Sequence, residues 1–353
     1  MASYYVVFGA TSQVVFDTAF MLQLLSALNL IEQDLNQLIK ELESLTKEHR
    51  TTIMVGRSFM QHARPITFGF KTAGWLDALL RSEQAMQHLL KENFVLQLGG
   101  AVGTLSAMNG KGLQVSETMS KELGLDLPAK PWHTQRDRLA TIATTLGILS
   151  GNIGKIAKDI SLLSQTEIAE VTEPSAKAGG SSTMPHKKNP VGCIVILANA
   201  DRIPGLVSTI LSSVIQDNER ATGPWHAEWQ TIIDIVQLVG GSVHKAIEIA
   251  SGLQVNKEQM LRNLEFTKGL IYAENVSLAL TSKIGKAEAL ELLRHCSEEA
   301  RSKNVHLKDV CLTNPVILKN LGTKEIGKLF DPAMSLGLCD TYIDRVLNKN
   351  FSS

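Results

Sequence analysis

MLQLLSALNLIEQDLNQLIKELESL, residues 21–45, decides the fold. Met21, Leu24, Leu28, Ile31, Leu35, Leu38, Leu42 and Leu45 alternate spacings of three and four. Glu32, Gln33, Asp34, Asn36, Gln37, Lys40, Glu41 and Glu43 stand between them. This is a sustained heptad seam with polar flanks. At 1.5 Å per residue it spans roughly 36 Å, beyond the usual length of a globular helix. No Gly or Pro falls between Gly9 and Gly56. A stripe this long must be buried against other long helices, and the pattern predicts that a single chain cannot cover it alone.

Outward from the seam, further stretches poor in Gly and Pro run over 75–97, 132–146, 153–171, 225–239, 272–284 and 286–314. Strand signals are sparse and no βαβ alternation is present. The predicted fold class is all-α, a long central helical bundle with a small C-terminal helical domain. The 353 residues suffice for two domains and a large core. We divide them into 1–14, a remnant or linker; 15–254, the bundle; and 255–353, where the helical segments shorten and charge rises.

Charge narrows the function. Lys plus Arg is 35 and Asp plus Glu is 35, so no broad basic surface awaits a phosphate backbone and nucleic acid is not an expected partner. Cys193, Cys296, Cys311 and Cys339 lack paired spacing, which suits a reducing compartment. Residues 1–8 are apolar but carry no basic leader, and Gln13 and Asp17 interrupt the apolar run beyond them. The expectation is therefore a cytoplasmic protein with neither signal peptide nor membrane span. Nine histidines are present, yet none pair as His-x-x-x-His on a helix, so no metal site is expected.

The stretch richest in chemistry is GGSSTMPHKKNP, residues 179–190. Its glycines and prolines forbid a regular helix. Two serines, two lysines and an asparagine between long helices read as functional, against the competing reading of an ordinary solvated loop. The run from Gly180 to Pro190 matches, at every fixed position, the signature Gly-Ser-Ser-x-Met-Pro-x-Lys-x-Asn-Pro. On this match the chain resembles the fumarase/aspartase superfamily. The resemblance implies that Ser181 is the catalytic base and that Lys187 and Asn189 hold a substrate carboxylate. GATSQ, residues 9–13, is similar to the family's first substrate-binding segment, which implies contacts from Thr11 and Ser12. GRSFMQHARPIT, residues 56–67, resembles the second, usually Gly-Arg-Thr-His-x-Gln-x-Ala-x-Pro-x-Thr, and brings in Gln61. GAVGT, residues 100–104, fits the family too and adds Thr104.

Departures from the pattern select a branch. Phe59 replaces the histidine of Thr-His; cycloisomerases of the family carry an aromatic residue there. That histidine helps protonate a poor leaving group. Opening a muconolactone expels a carboxylate, whose conjugate acid has a pKa of about 4 and needs no general acid. PWHTQRDR, residues 131–138, and NER, residues 218–220, followed by WHAEW, residues 225–229, resemble the cycloisomerase versions, as does the tail with LFDPA, residues 329–333. Adenylosuccinate lyases use serines and an arginine near the 225–229 region for a phosphate; Trp225, His226 and Trp229 do not make such a pocket. His133 is read either as a contact to a substrate carboxylate or as a structural hydrogen bond. Asp137 and Asp159 read as helix-surface residues, and His62 as a variable position.

The resemblance implies 3-carboxy-cis,cis-muconate as substrate, a small tricarboxylate, with substrate contacts from Thr11, Ser12, Gln61, Thr104, His133 and Arg220. It implies no cofactor, and a homotetramer whose active sites are shared between subunits. The family carries a first helical domain before the Thr-Ser segment, which here begins at Gly9, and Val14 stands where relatives usually have Asp. Two alternatives stay open: another lyase of the superfamily, chiefly adenylosuccinate lyase, and a non-catalytic bundle subunit.

Overall fold

The computed structural model describes residues 7–174, 184 and 186–348. The seam predicted for 21–45 lies inside one unbroken helix, α1 (Ser12–Glu48). Four more long helices follow: α2 (Phe68–Glu92), α4 (Asp137–Leu163), α5 (Val191–Ser212) and α6 (Pro224–Gly252), with the shorter α3 (Gly112–Leu123) between α2 and α4. The stretches 132–146, 153–171 and 225–239 predict breaks at the glycines between and after them, but α4 and α6 run through. Gly147 and Gly154 of α4 face α5, where an added Cβ would lie 3.1 Å from Val207 and 3.1 Å from Ala200. These glycines set a close helix approach instead of ending the helix.

Contacts divide the chain into two compact units. The first comprises 1–41, 78–161 and 175–252. Its helices pack lengthwise. Asp34 of α1 meets His244 of α6 at 3.3 Å, and Ile31 lies against Gly240. Asn199 of α5 donates to Ser242 of α6 at 3.1 Å, and Asn152 of α4 donates to Ser82 of α2 at 2.9 Å. Thr18 of α1 donates to the carbonyl of Gln97 at 2.8 Å, tying the loop after α2 to the start of α1.

All eight seam residues, from Met21 at 1% exposure to Leu45 at 7%, are buried within the chain itself. This corrects the expectation that a single chain leaves the stripe open. The uncovered apolar surface lies elsewhere. Val191, Ile194, Val195 and Leu211 on α5 and Ile148 on α4 are exposed. By length and composition α1 and α5 could each cross a bilayer, but the apolar face of α1 is occupied by its own chain.

The second unit comprises 42–77, 162–174 and 253–353. It contains a hairpin that the sequence did not disclose, β1 (Ile53–Ser58) paired with β2 (Gln61–Thr67). A bulge between Val55 and Arg57 accommodates Gly56, whose missing side chain leaves room for the Arg64 carbonyl. A second, two-residue pairing joins β3 (Val171–Thr172) to β4 (Gln254–Val255). Next to its tip, the hairpin is anchored by charge. Arg57 grips the fully buried Glu170 with two bonds of 2.6 and 2.9 Å, and Asn263 of α7 (Lys257–Leu264) donates to the same carboxylate at 2.7 Å. Beyond lie α8 (Ala273–Ile284), α9 (Lys286–Lys303), α10 (Leu307–Thr313), α11 (Pro315–Leu329) and α12 (Cys339–Leu347). Tyr272, Val276, Leu280, Leu293, Leu307, Ile317 and Phe330 belong to the core shared by α8 to α11. The short strands leave the fold class all-α.

Candidate active site

In the first unit, the start of α1 brings polar side chains together with two loops. Thr11 and Ser12 open the helix, Thr11 half-buried and Ser12 exposed. One residue on, Gln13 is buried and turns inward. Its amide nitrogen donates to the carbonyl of His133 at 2.9 Å and to Asp17 at 3.3 Å. Its amide oxygen accepts from Nε of Arg220 at 3.2 Å. Sequence-predicted Thr11, Ser12, His133 and Arg220 are thus gathered around Gln13.

His133 is 3% exposed, and burial lowers its pKa below 6.5, with Arg220 and Arg136 acting in the same direction against Asp17. The ring is neutral at pH 7. Its Nε2 is buried without a hydrogen-bond partner among the described residues, as is Oγ1 of Thr11. The structural hydrogen bond at His133 is made by its backbone carbonyl. Gly99 permits the ring's position, since an added Cβ would sit 2.6 Å from His133 Cε1. Thr104 is exposed on the adjoining turn, where Gly100 and Gly103 hold φ of 67° and 88°.

Beneath these groups lies a buried charge cluster. Arg136, Asp17 and Glu228 are each about 1% exposed. Arg136 donates to both oxygens of Asp17, at 2.8 and 3.1 Å, and to Glu228 at 2.6 to 3.1 Å, with its guanidinium 4.8 Å from the ring centre of Trp132. Asp17 also accepts from the indole of Trp225 at 2.9 Å. One arginine faces two carboxylates, so a negative excess remains. It falls on Glu228, whose pKa burial raises against the pull of Arg136. Burial alone would lower the pKa of Arg136, but Asp17 and Glu228 outweigh it and hold the guanidinium charged. Removing one member of such a cluster strands a charge, at a cost of about 3–5 kcal/mol.

An aromatic wall adjoins the cluster. Phe16 stacks at 4.6 Å on Trp229 and meets Trp225 edge-on at 5.7 Å; His226 lies 4.8 Å from Trp229. Trp229 Nε1 is buried and unpartnered among the described residues. Val14 is buried at 1%, an apolar environment suited to valine.

Of the signature loop, Ser181 and Ser182 lie outside the described residues. Lys187 is exposed, its backbone N–H bonded to the Met184 carbonyl at 3.0 Å, and Asn189 is half-buried just before α5. Gln61 and Phe59 belong to the hairpin of the second unit. Gln61 pairs with Ser58 across the turn, while Phe59 is fully exposed with φ of 48° and Met60 has φ of 65°. Asp137 opens α4, and Asp159 pairs with Lys155 at 2.5 Å, as expected of helix-surface residues. Among the described residues, no group of three or more His, Cys, Asp or Glu is placed to hold a metal.

Long helices carrying a Thr-Ser segment and the Lys-x-Asn end of the signature agree with the fumarase/aspartase type of lyase, and the chain belongs to that family. Residues 2–205 match the family described as Lyase, and 269–346 the one described as Adenylosuccinate lyase C-terminus. The 3-carboxy-cis,cis-muconate cycloisomerase of Pseudomonas aeruginosa is 45% identical over 98% of this chain and 76% of its own length. Trans-aconitate decarboxylase 1 of Mycosarcoma maydis is 38% identical over 98% of this chain and 70% of its own. Among solved structures, the 3-carboxy-cis,cis-muconate lactonizing enzyme from Pseudomonas putida superposes with a TM-score of 0.92 at 44% identity, covering 97% of this chain and 76% of that one.

Proposed function

We propose that this chain is a cycloisomerase that interconverts 3-carboxy-cis,cis-muconate and 4-carboxymuconolactone, a step of the protocatechuate branch of aromatic degradation. The observation that carries the reading is Arg220 beside a neutral His133 in a cluster walled by Phe16, Trp225 and Trp229. A guanidinium suits a carboxylate, aromatic faces suit a planar diene, and nothing in that wall suits a phosphate. The similar cycloisomerase from Pseudomonas aeruginosa and the absence of the leaving-group histidine at Phe59 support the same conclusion.

In the lactonising direction, a carboxylate oxygen of the substrate adds to its own conjugated double bond. The electron pair moves onto the neighbouring carbon and is delocalised into a second carboxylate as an aci-carboxylate, and that carbon then takes a proton. Ser181 carries the proton. Lys187 and Asn189 hold the carboxylate that gains charge, the kind of stabilisation that dominates such sites. Because both reacting groups belong to one molecule, holding the right rotamer lowers the barrier further. Thr11, Ser12, Gln61, Thr104, His133 and Arg220 bind the remaining carboxylates, and the chemistry needs no cofactor.

In this reading 15–254 form the catalytic bundle and 255–353 a helical accessory domain, in a cytoplasmic homotetramer with shared active sites. Support for assembly comes from the exposed apolar residues of α5 and from Ile148. The test is steady-state consumption of 3-carboxy-cis,cis-muconate, monitored as loss of diene absorbance. Turnover of adenylosuccinate or trans-aconitate at a comparable rate, with the muconate untouched, overturns the proposal.

A further inference from the structure

Arg220 reaches the cluster by one nitrogen only. Its Nε is held by Gln13 at 3.2 Å, and its terminal nitrogens have no partner among the described residues. Gln13 in turn has no freedom in its amide. The Asp17 carboxylate and the His133 carbonyl, at 3.3 and 2.9 Å, only accept hydrogen bonds, so the NH2 group must face them. The amide oxygen is left to face Arg220. The charge cluster therefore sets the amide's orientation, and the amide sets the guanidinium's.

The circuit closes on the same loop. Arg136 joins Asp17 to Glu228, and Glu228 accepts from Gln216 at 3.2 Å, four residues before Arg220. Gln216 also donates to the Ser213 carbonyl at 2.9 Å. The segment from Gln216 to Arg220 is thus fastened at both ends, by Gln216 to Glu228 and by Arg220 through Gln13 to Asp17.

We propose that Gln13 is a positioning residue that aims the two free nitrogens of Arg220, as a fork, at a carboxylate of the substrate. This rests on the tricarboxylate reading above. A guanidinium held at Nε presents its remaining edge with little rotamer entropy left to lose, and two parallel N–H bonds match carboxylate geometry.

The experiment is a double-mutant cycle on the full chain with Gln13→Met, Arg220→Ala and the pair. It reads KM and kcat for 3-carboxy-cis,cis-muconate and, independently of turnover, calorimetric binding of propane-1,2,3-tricarboxylate. Gln13→Met should raise KM and Kd about 10-fold, roughly 1.4 kcal/mol, while kcat stays within about 3-fold. In the Arg220→Ala background the same change should add less than about 2-fold, because the group it positions is gone. Gln13→Asn, which keeps the polarity and withdraws the oxygen from Arg220, should show the same KM effect and serves if Gln13→Met does not fold. Equal effects of Gln13→Met in both backgrounds, or a loss confined to kcat, overturns the proposal while Arg220 keeps its role. If Arg220→Ala alone leaves binding unchanged, the role of Arg220 falls and this proposal with it.

Discussion

His133, His49 and His62 are held neutral by burial, their pKa values lowered from 6.5. Between the lowered values and 6.5 the unfolded chain binds more protons than the folded one. Their contribution to stability is therefore complete above pH 6.5 and is lost as pH falls through the lowered values, by up to about 1.4 kcal/mol per pH unit for each ring. The midpoint of thermal unfolding should drop as pH falls from 7 to 5, and His133→Asn should flatten that slope; an unchanged slope refutes the assignment. A second prediction concerns the proton carrier. Ser181→Ala should lower turnover by at least about 10²-fold with little change in KM. Lys187→Ala should damage both, since bound substrate already feels that charge, and Ser182→Ala should be mild. A more severe effect at Ser182 would exchange the two serines. Thr11, His133 and Arg220 were legible because they sit in recognisable segments. Asp17, Arg136 and Glu228 were not, although one sign was present. Gln13 and Asp17 continue the line of Met21, Leu24 and Leu28, and a carboxylate on an apolar face implies a buried partner without naming it.

At the scale of elements, the hairpin carries the strongest local conflict. Both residues of its tip, Phe59 and Met60, have positive φ, a conformation hairpin turns normally give to Asn and Gly. Each costs of order 1–3 kcal/mol. Replacing the pair by Asn and Gly should raise stability by roughly 1–3 kcal/mol in denaturant unfolding. If the tip serves the reaction, as its place beside Gln61 implies, the same change should lower turnover; unaltered kinetics would reduce Phe59 to a surface aromatic. The sequence hid this hairpin because strand alternation is weak over 53–67 and Gly56 and Pro65 interrupt it. It hid the continuity of α4 and α6 for the opposite reason. A glycine inside a helix reads as a break, whereas here it makes room for a neighbouring helix.

For the molecule as a whole, the apolar surface is displaced from where the heptads placed it. The seam of α1 closes within one chain, and α5 presents Val191, Ile194, Val195 and Leu211 outward. Placing Asp at Ile194 and Val195 should shift light scattering from a tetramer to smaller species, while far-ultraviolet dichroism keeps its helical signal. Loss of that signal would mean the face is part of the chain's own core. The long-helix architecture was legible from periodicity alone; the proposed interface was not, since an apolar helix looks alike whether it packs on its own chain or on a copy.

The self-contained seam also orders events in time. A chain that covers α1 by itself completes its core before meeting a copy, so refolding should begin with a phase whose rate ignores protein concentration. Activity shared between subunits would then return in a slower phase that quickens with concentration. If the proposed tetramer holds, the population between the two phases should be folded and inactive, with α5 still uncovered. Protein concentration should then set how much of it matures.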